Sequence, residues 1–312
     1  MNRFRAALAV AALLSASWAL AAYPDRPVKL IVPWAAGGDT DSIYRAFQPH
    51  FQKHLGGTLV IANVGGASGT KGAKEAKDSP GDGYTIFAVH DSIHSTFHTG
   101  VADVNSTDFQ PICLVASTPS IITASPKTPW ADMKAMIADA KARPGQITVG
   151  ATLGSTSHFF PAIVEKAAGV KFKYVSYEGT APRMNALLGS HIELAESNLT
   201  QKGKVDAGQM KFLAIAADKR TPEAPNVPTL KEKGIDLEFT NWRGVVAPPG
   251  ISEEDKQVWI DAFTRMHESA SWKAELEEKG WVDAFATGEE FGTFLKEQDT
   301  EVAQILKTLG LA

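Results

Sequence analysis

The stretch Val28-Lys29-Leu30-Ile31-Val32-Pro33-Trp34-Ala35-Ala36-Gly37-Gly38-Asp39-Thr40-Asp41 runs from an apolar strand, through Pro-Trp and a Gly pair, into a helix. The helix shows in Ile43, Phe47, Phe51 and Leu55, one apolar residue at every fourth position. Such a turn presents backbone N–H groups at a helix N-terminus, where an anion is stabilised without a charged side chain. The Gly pair allows a ligand close to the main chain. Read alone, the stretch is equally an ordinary strand-to-helix loop.

The same alternation continues along the chain. Strands are predicted at Val28–Val32, Leu59–Asn63, Tyr84–Val89, Ile147–Gly150, Phe172–Tyr177, Ile192–Glu196 and Phe212–Ala217. Helices are predicted at Thr40–His54, Lys71–Lys77, Trp130–Ala142, Phe159–Ala168, Ala181–Leu188, Glu253–Glu268 and Glu289–Leu309. This rhythm makes an α/β protein of mostly parallel sheets with helices on both faces. Ligands of such sheets sit at the carboxyl ends of strands, on loops that lead into helices. Two segments read as crossings between domains: Leu114 to Pro129, and Thr240-Asn241-Trp242-Arg243-Gly244-Val245-Val246-Ala247-Pro248-Pro249-Gly250. Domain 1 then combines residues 22–122 with 247–312, and domain 2, residues 123–246, is an insertion.

The N-terminus reads as a secretory signal peptide over residues 1–21, with cleavage near Ala21. Arg3 and Arg5 are followed by the short apolar run Ala6 to Leu14 and by the small residues Ala19-Leu20-Ala21. The mature chain is therefore expected to be soluble and periplasmic. The net charge of −4 includes Arg3 and Arg5 and becomes −6 when those two leave. An acidic chain without a basic, aromatic-rich patch argues against nucleic acid as a partner. Any anionic ligand is expected to be held by local dipoles and not by a general positive field. Cys113, the one cysteine, lies in the apolar run Ile112-Cys113-Leu114-Val115 and reads as a buried small hydrophobe.

Three more loops follow strands and precede helices. The first, Asn63-Val64-Gly65-Gly66-Ala67-Ser68-Gly69-Thr70-Lys71-Gly72, lacks the Gly-Lys-Ser/Thr ending of a phosphate loop. Its backbone donors, with Ser68 and Thr70, suit a carboxylate or an ordered water, or form a plain turn. The second, Gly150-Ala151-Thr152-Leu153-Gly154-Ser155-Thr156-Ser157-His158, offers hydroxyls and N–H groups to an anion. A hydrolase reading would make Ser155 or Ser157 a nucleophile with His158 as base, but the stretch is not a Gly-x-Ser-x-Gly elbow. In the third, Tyr177-Glu178-Gly179-Thr180, Thr180 either caps the following helix or touches a ligand. His90, His94 and His98 recur at four-residue spacing. On a helix the outer pair would stand about 12 Å apart, too far to share one metal ion. A ligand-facing Ser92 or His94 is the alternative.

Taken together, these features resemble the extracytoplasmic solute receptors of the tripartite tricarboxylate transporter system, the Bug receptor family. The resemblance spans the mature chain. It is carried by Tyr23-Pro24-Asp25-Arg26-Pro27, by Val32-Pro33-Trp34-Ala35-Ala36-Gly37-Gly38 with Asp41, and by Asn63 with Gly66-Ala67-Ser68-Gly69 and Gly72. Pro80-Gly81-Asp82-Gly83-Tyr84-Thr85, Asp108-Phe109 with Pro111-Ile112, and Ala140-Lys141-Ala142 with Pro144-Gly145 follow. Asn226-Val227-Pro228-Thr229-Leu230, Gly234, Trp242, Gly244 and Pro248 close the pattern.

The resemblance implies a two-domain type II periplasmic binding protein fold with two interdomain crossings, closing on a small organic carboxylate. It implies no catalysis, no cofactor and no metal. The protein would act as a monomer that hands its ligand to membrane transporter subunits, or alternatively to a sensor kinase. By position, Trp34, Ala35, Gly37, Thr40 and Ala67 would touch the ligand from the first domain, with Asp41 as scaffold. Thr152, Ser155, Thr156, Ser157, His158 and Thr180 would do so from the second, with Ser92 and Ser197 as further candidates. The chain departs from the family pattern in places. Val175-Ser176-Tyr177-Glu178-Gly179 stands where Val-Pro-Tyr-Lys-Gly is frequent, and Ser197 stands where Asp is common, with Glu196 beside it as a stand-in.

Overall fold

The computed structural model describes residues 23–311, so the expected signal peptide and its cleavage site lie outside the described residues. The chain first builds strands β1 (Val28–Val32), β2 (Leu59–Asn63), β3 (Thr85–His90) and β4 (Gln110–Pro119), with helices α1 (Asp39–Leu55), α2 (Thr70–Lys77) and α3 (Ser92–His98) between them. It then makes β5 (Ile121–Ala124), β6 (Thr148–Ala151), β7 (Lys173–Ser176), β8 (Leu194–Ser197) and β9 (Lys211–Ile215). Helices α4 (Met133–Ala142), α5 (Thr156–Ala168), α6 (Thr180–Leu188) and α7 (Lys202–Asp206) join this second set. It returns through β10 (Thr240–Ala247), α8 (Glu253–Glu268), α9 (Ala270–Lys279), β11 (Ala286–Thr287) and α10 (Gly288–Leu309). Among the described residues no helix is long and apolar enough to cross a membrane.

Two sheets result, ordered β11-β4-β10-β3-β1-β2 and β7-β6-β8-β5-β9. They give the expected α/β architecture of two lobes. The expectation of mostly parallel sheets needs correction. Strands joined by crossover helices are parallel, β1 with β2 and β3, and β6 with β7 and β8. The strands beside the lobe crossings are antiparallel: β10 with β3 and β4, and β5 with β8 and β9.

The first crossing, at Ser120, falls inside the expected Leu114–Pro129 segment, whereas the second precedes the expected Thr240–Gly250. Ser120 alone separates β4 from β5, and β5 pairs only within the second sheet. The boundary at residues 122/123 therefore lies inside β5. The return strand β10 pairs wholly within the first sheet, so the boundary at 246/247 falls at its far end. Seven of its eight residues are buried, which suits a strand wedged between two neighbours. Pro248-Pro249 marks where that strand stops, because proline cannot donate to a ladder.

Each lobe has its own core. In the first, α1 buries Ile43, Tyr44, Phe47, Phe51 and Leu55 along one stripe and stops at Gly56, whose φ of 75° is left-handed. Phe51 stacks on Trp259 of α8 at 5.4 Å between ring centroids. Cys113 is fully buried in β4, and burial pushes its thiol well above the ordinary range. Trp130, Met133, Phe160, Val164 and Leu194 anchor the second core. A small cluster of Phe159 on α5 with Val302 and Leu306 on α10 ties the lobes together away from their sheets. Helix α9 escapes the sequence pattern because only Trp272 and Leu276 of its ten residues are buried.

Phe51→Ala removes a stacked ring from the middle of the first core. Chemical denaturation should show a stability loss of about 3–5 kcal/mol. A loss below about 1 kcal/mol would contradict this packing account.

Candidate functional site

Three helices begin at one place. α1 starts after Gly38, α5 after Ser155 and α6 after Gly179, and no side chain caps the first turn of any of them. In their first turns the His158 N–H already donates to the Ser155 carbonyl and Pro182 has none, while the N–H groups of Asp39, Thr40, Thr156, Ser157, Thr180 and Ala181 are free to face a ligand. A methyl group added at Gly38 would lie 3.9 Å from the Ala181 amide nitrogen, so the α1 and α6 N-termini meet across the lobes. The cleft between them is lined by Trp34, Gly38, Asp39, Thr40, His90, Thr152, Ser155, Thr156, Ser157, Gly179, Thr180, Arg183, Glu196, Asn241 and Arg243.

The second-lobe wall is built by its own hydroxyls. Ser155 Oγ donates to the Thr152 carbonyl at 2.7 Å, and Ser157 Oγ accepts the Thr152 N–H at 2.9 Å. Thr152 Oγ1 donates to the Tyr177 carbonyl at 2.8 Å and accepts the Gly179 N–H at 3.0 Å. The loop after β6 is thus knitted to the loop after β7, and both helix starts are held in register.

In the first lobe, the Trp34 indole N–H donates to His90 Nε2, and His90 Nδ1 lies 2.9 Å from Asp91 Oδ1. Burial holds the His90 imidazole below its usual pKa, so the ring stays neutral. Asp41 accepts the Gly37 N–H at 2.8 Å, an Arg45 Nε contact at 2.9 Å and the Asn63 amide at 2.8 Å. Burial works against its charge, but these hydrogen bonds keep the carboxyl below the ordinary range. It stays ionised and braces the Gly37 turn.

The floor of the cleft is charged. Arg183 Nη2 lies 2.9 Å from Glu196 Oε2, with both side chains buried. Glu196 Oε1 accepts from Asn241 Nδ2 at 2.9 Å and from Ser120 Oγ at 3.2 Å. Burial lifts the Glu196 carboxyl to about 7, against the pull of Arg183 and with a push from Asp39. Arg243 donates to the Asn241 carbonyl at 2.9 Å and to Thr118 Oγ1 at 3.4 Å, and its buried Nε has no partner.

The lobes are latched. Asp39 accepts from Asn198 Nδ2 at 3.1 Å, Thr200 Oγ1 at 2.6 Å and Gln201 Nε2 at 3.1 Å. On the other side of the cleft, the Ser68 N–H donates to Glu178 Oε2 at 3.1 Å and Ser68 Oγ to the Leu153 carbonyl at 3.0 Å. Thr156 Oγ1 donates to Asp91 between them.

Of the residues singled out in the sequence, Trp34, Thr40, Thr152, Ser155, Thr156, Ser157 and Thr180 come together in the cleft. Six do not. Ala35, Gly37 and Ala67 are exposed and do not line this cleft, and the Gly37 N–H is already used by Asp41. Ser92 bonds His90 Nε2 at 3.2 Å and lines a separate small cavity behind it. Ser197 is fully buried against Thr123, since alternation along β8 turns Glu196, not Ser197, towards the cleft.

His158 packs edge-on against Tyr174 and faces the outer surface, so neither Ser155 nor Ser157 has it as a base. His94 and His98 both meet Asp299, at 3.1 and 2.8 Å, away from the cleft. Among the described residues no three His, Cys, Asp or Glu side chains are grouped to hold a metal ion. Thr180 is the first residue of α6 and does not cap it; Gly179 holds the cap position.

Sequence reasoning did not place Arg183 or Arg243 here and expected dipoles alone. Arg243 and Asn241 show in the sequence only as part of a crossing, and Arg183 lies inside a helix three positions beyond the Tyr177–Thr180 loop.

The family model of the tripartite tricarboxylate transporter family receptor matches residues 43–311. Protein BugT of Bordetella pertussis is 28% identical over 98% of this chain and 95% of its own. The solved periplasmic binding protein BugD superposes with a TM-score of 0.87 at 29% identity, over 93% of this chain and 99% of its own. The R. palustris protein Rpa4515, solved with adipate, gives 0.88 at 28% identity, over 92% and 98%.

Asp39→Ala deprives Asn198, Thr200 and Gln201 of their shared acceptor. X-ray scattering of the purified protein should show a larger radius of gyration than the parent, as the lobes part more readily. An unchanged scattering curve would mean that Asp39 does not latch them.

Proposed function

This chain belongs to the tripartite tricarboxylate transporter receptor family, and we propose from that premise that its cleft captures a small aliphatic carboxylate for delivery to membrane transporter subunits. The observation that carries the reading is the meeting of three uncapped helix N-termini with a guanidinium, Arg243, that has no carboxylate partner in its hydrogen bonds. The first turn of α1 already holds Asp39 and Asp41, whereas the first turns of α5 and α6 carry no acid. The ligand's carboxylate therefore belongs at α5 and α6, beside Arg243. Charge-assisted hydrogen bonds in a desolvated cleft supply the affinity.

The lining also argues for an aliphatic ligand. Beyond Trp34 and His90 it consists of hydroxyls, glycines, an amide and charged groups. Trp34 is committed to His90 through its N–H and walls the cleft. The receptor works as a periplasmic monomer of two bodies, residues 23–119 with 240–311, and 120–239. They move about Ser120 and the segment that leads into β10, opening and closing as hinged lobes. No catalytic step, cofactor or metal is part of this reading.

Thermal unfolding of the mature chain with malate, succinate, citrate, adipate, benzoate and aspartate tests the ligand class. At a hundredfold excess over Kd a true ligand stabilises by about 2.7 kcal/mol, a melting shift of a few degrees. An aliphatic carboxylate should produce it; a shift from benzoate alone, or from none of the six, would overturn the reading. Arg243→Ala should weaken calorimetric binding of the active carboxylate by about 2–5 kcal/mol, as expected when one member of a buried charged contact is removed.

A further inference from the structure

We propose that Glu196 sets the charge of the ligand that the cleft accepts, by taking up one proton as the carboxylate enters. The proposal rests on the carboxylate reading above. Its basis is the set of charged groups around Glu196 on β8. Arg183 reaches it from α6 and Arg243 stands near it on β10. Asp39 at the start of α1 and Asp91 after β3 add two acids. All five side chains belong to residues no more than 5% exposed. Two guanidiniums thus face three carboxyl groups before any ligand arrives. A ligand carboxylate makes four acids against two cations in a water-poor space, where like charges repel strongly.

One acid must give way, and the hydrogen bonds single it out. Asp39 accepts from three donors on the opposite lobe, two of them amide nitrogens that cannot turn acceptor, so a proton there weakens the latch. Asp91 accepts from Thr156 Oγ1 and faces His90. His90 has no free nitrogen for a second proton, because Nε2 accepts the Trp34 N–H and Nδ1 is turned to Asp91. Glu196 differs in place: the hydroxyls on Asp39 and Asp91, Thr200 and Thr156, come from the opposite lobe, whereas the hydroxyl on Glu196, Ser120, sits at the crossing itself. Glu196 Oε1 lies 3.2 Å from Ser120 Oγ, a hydroxyl that can reverse from donor to acceptor and receive the new proton. Arg183 keeps the Glu196 carbonyl at 3.2 Å as a second acceptor. The proton comes from solvent, forms one O–H bond on Oε1, and no other bond breaks. The carboxyl already sits near neutrality, at about 7, so an incoming negative charge carries it across.

Calorimetric titration of adipate and malate into the mature chain, in two buffers of different ionisation enthalpy, counts the protons. Near pH 8 the count should be close to one per dicarboxylate bound, and near pH 6, where Glu196 is already protonated, close to zero. Affinity should be flat below about pH 7 and fall about tenfold per pH unit above it. Aliphatic carboxylates titrate far lower and cannot imitate that slope. Glu196→Gln should bind without proton uptake and with a flat profile. If that variant does not fold, the proton count and slope of the parent protein decide the matter without it. Binding without uptake near pH 8, or uptake that survives in Glu196→Gln, overturns the role of Glu196 and leaves the carboxylate reading intact. Failure of both dicarboxylates to bind at either pH overturns the role of Glu196 together with the dicarboxylate reading.

Discussion

The Glu196 carboxyl is held by Ser120 and Asn241 on one side and by Arg183 on the other, and the rest of the molecule is arranged around that contact. Ser120 is the lone residue between the two sheets on the outward crossing, and Asn241 belongs to the strand of the return. The floor of the cleft and the hinge are therefore the same residues. A buried ion pair by itself contributes little net stability, because desolvation of both charges offsets their attraction. Its value here is positional, since breaking it would leave an uncompensated charge where the lobes join. The floor keeps its geometry while the walls are free to move.

That placement explains why the lobes can close without a continuous apolar interface. The two main cores are separate, and among the buried clusters of the described residues the one that joins the lobes is Phe159, Val302 and Leu306 with their neighbours. Across the mouth the contacts are hydrogen bonds accepted by Asp39 and donated by Ser68 and Thr156. Each is modest in net energy, because water serves the same groups when the lobes part. A cleft closed by such bonds opens at small cost, whereas an interface of Phe and Leu would not.

Much of this was legible in the sequence. The periodicity of Ile43, Phe47, Phe51 and Leu55 located α1, and the Gly-rich turns located the walls, because backbone geometry is written locally in glycine, proline and spacing. The sequence pattern puts the start of α5 at Phe159, three residues after its true start at Thr156, and there the difference matters, since Thr156 and Ser157 lie in the first turn. Membership in the cleft was less legible. Ala35, Gly37 and Ala67 sit in the right loops but do not line the cleft, a matter of local turn geometry that residue type does not reveal. Arg183 and Glu196 lie on successive elements, and the distant Arg243 meets them only because β8 and β10 flank the crossing. No local pattern signals such a meeting.

The three helix N-termini do not serve the same end. Each concentrates partial positive charge in its first turn. On α1 that charge faces Asp39 and Asp41. Asp41 braces the Gly37 turn from within the lobe, and Asp39 reaches out to Asn198, Thr200 and Gln201. The α1 terminus is thereby satisfied by the protein's own acids and acts as a latch. On α5 and α6 no acid fills the first turn, and the nearby hydroxyls are occupied in joining the two loops. Their N–H groups remain for an external anion, on the same side as Arg243. An acidic chain can thus present a local site for a negative ligand: one helix end is neutralised to hold the lobes, two are left free, and the arginines beneath them are balanced by a carboxyl poised near neutrality.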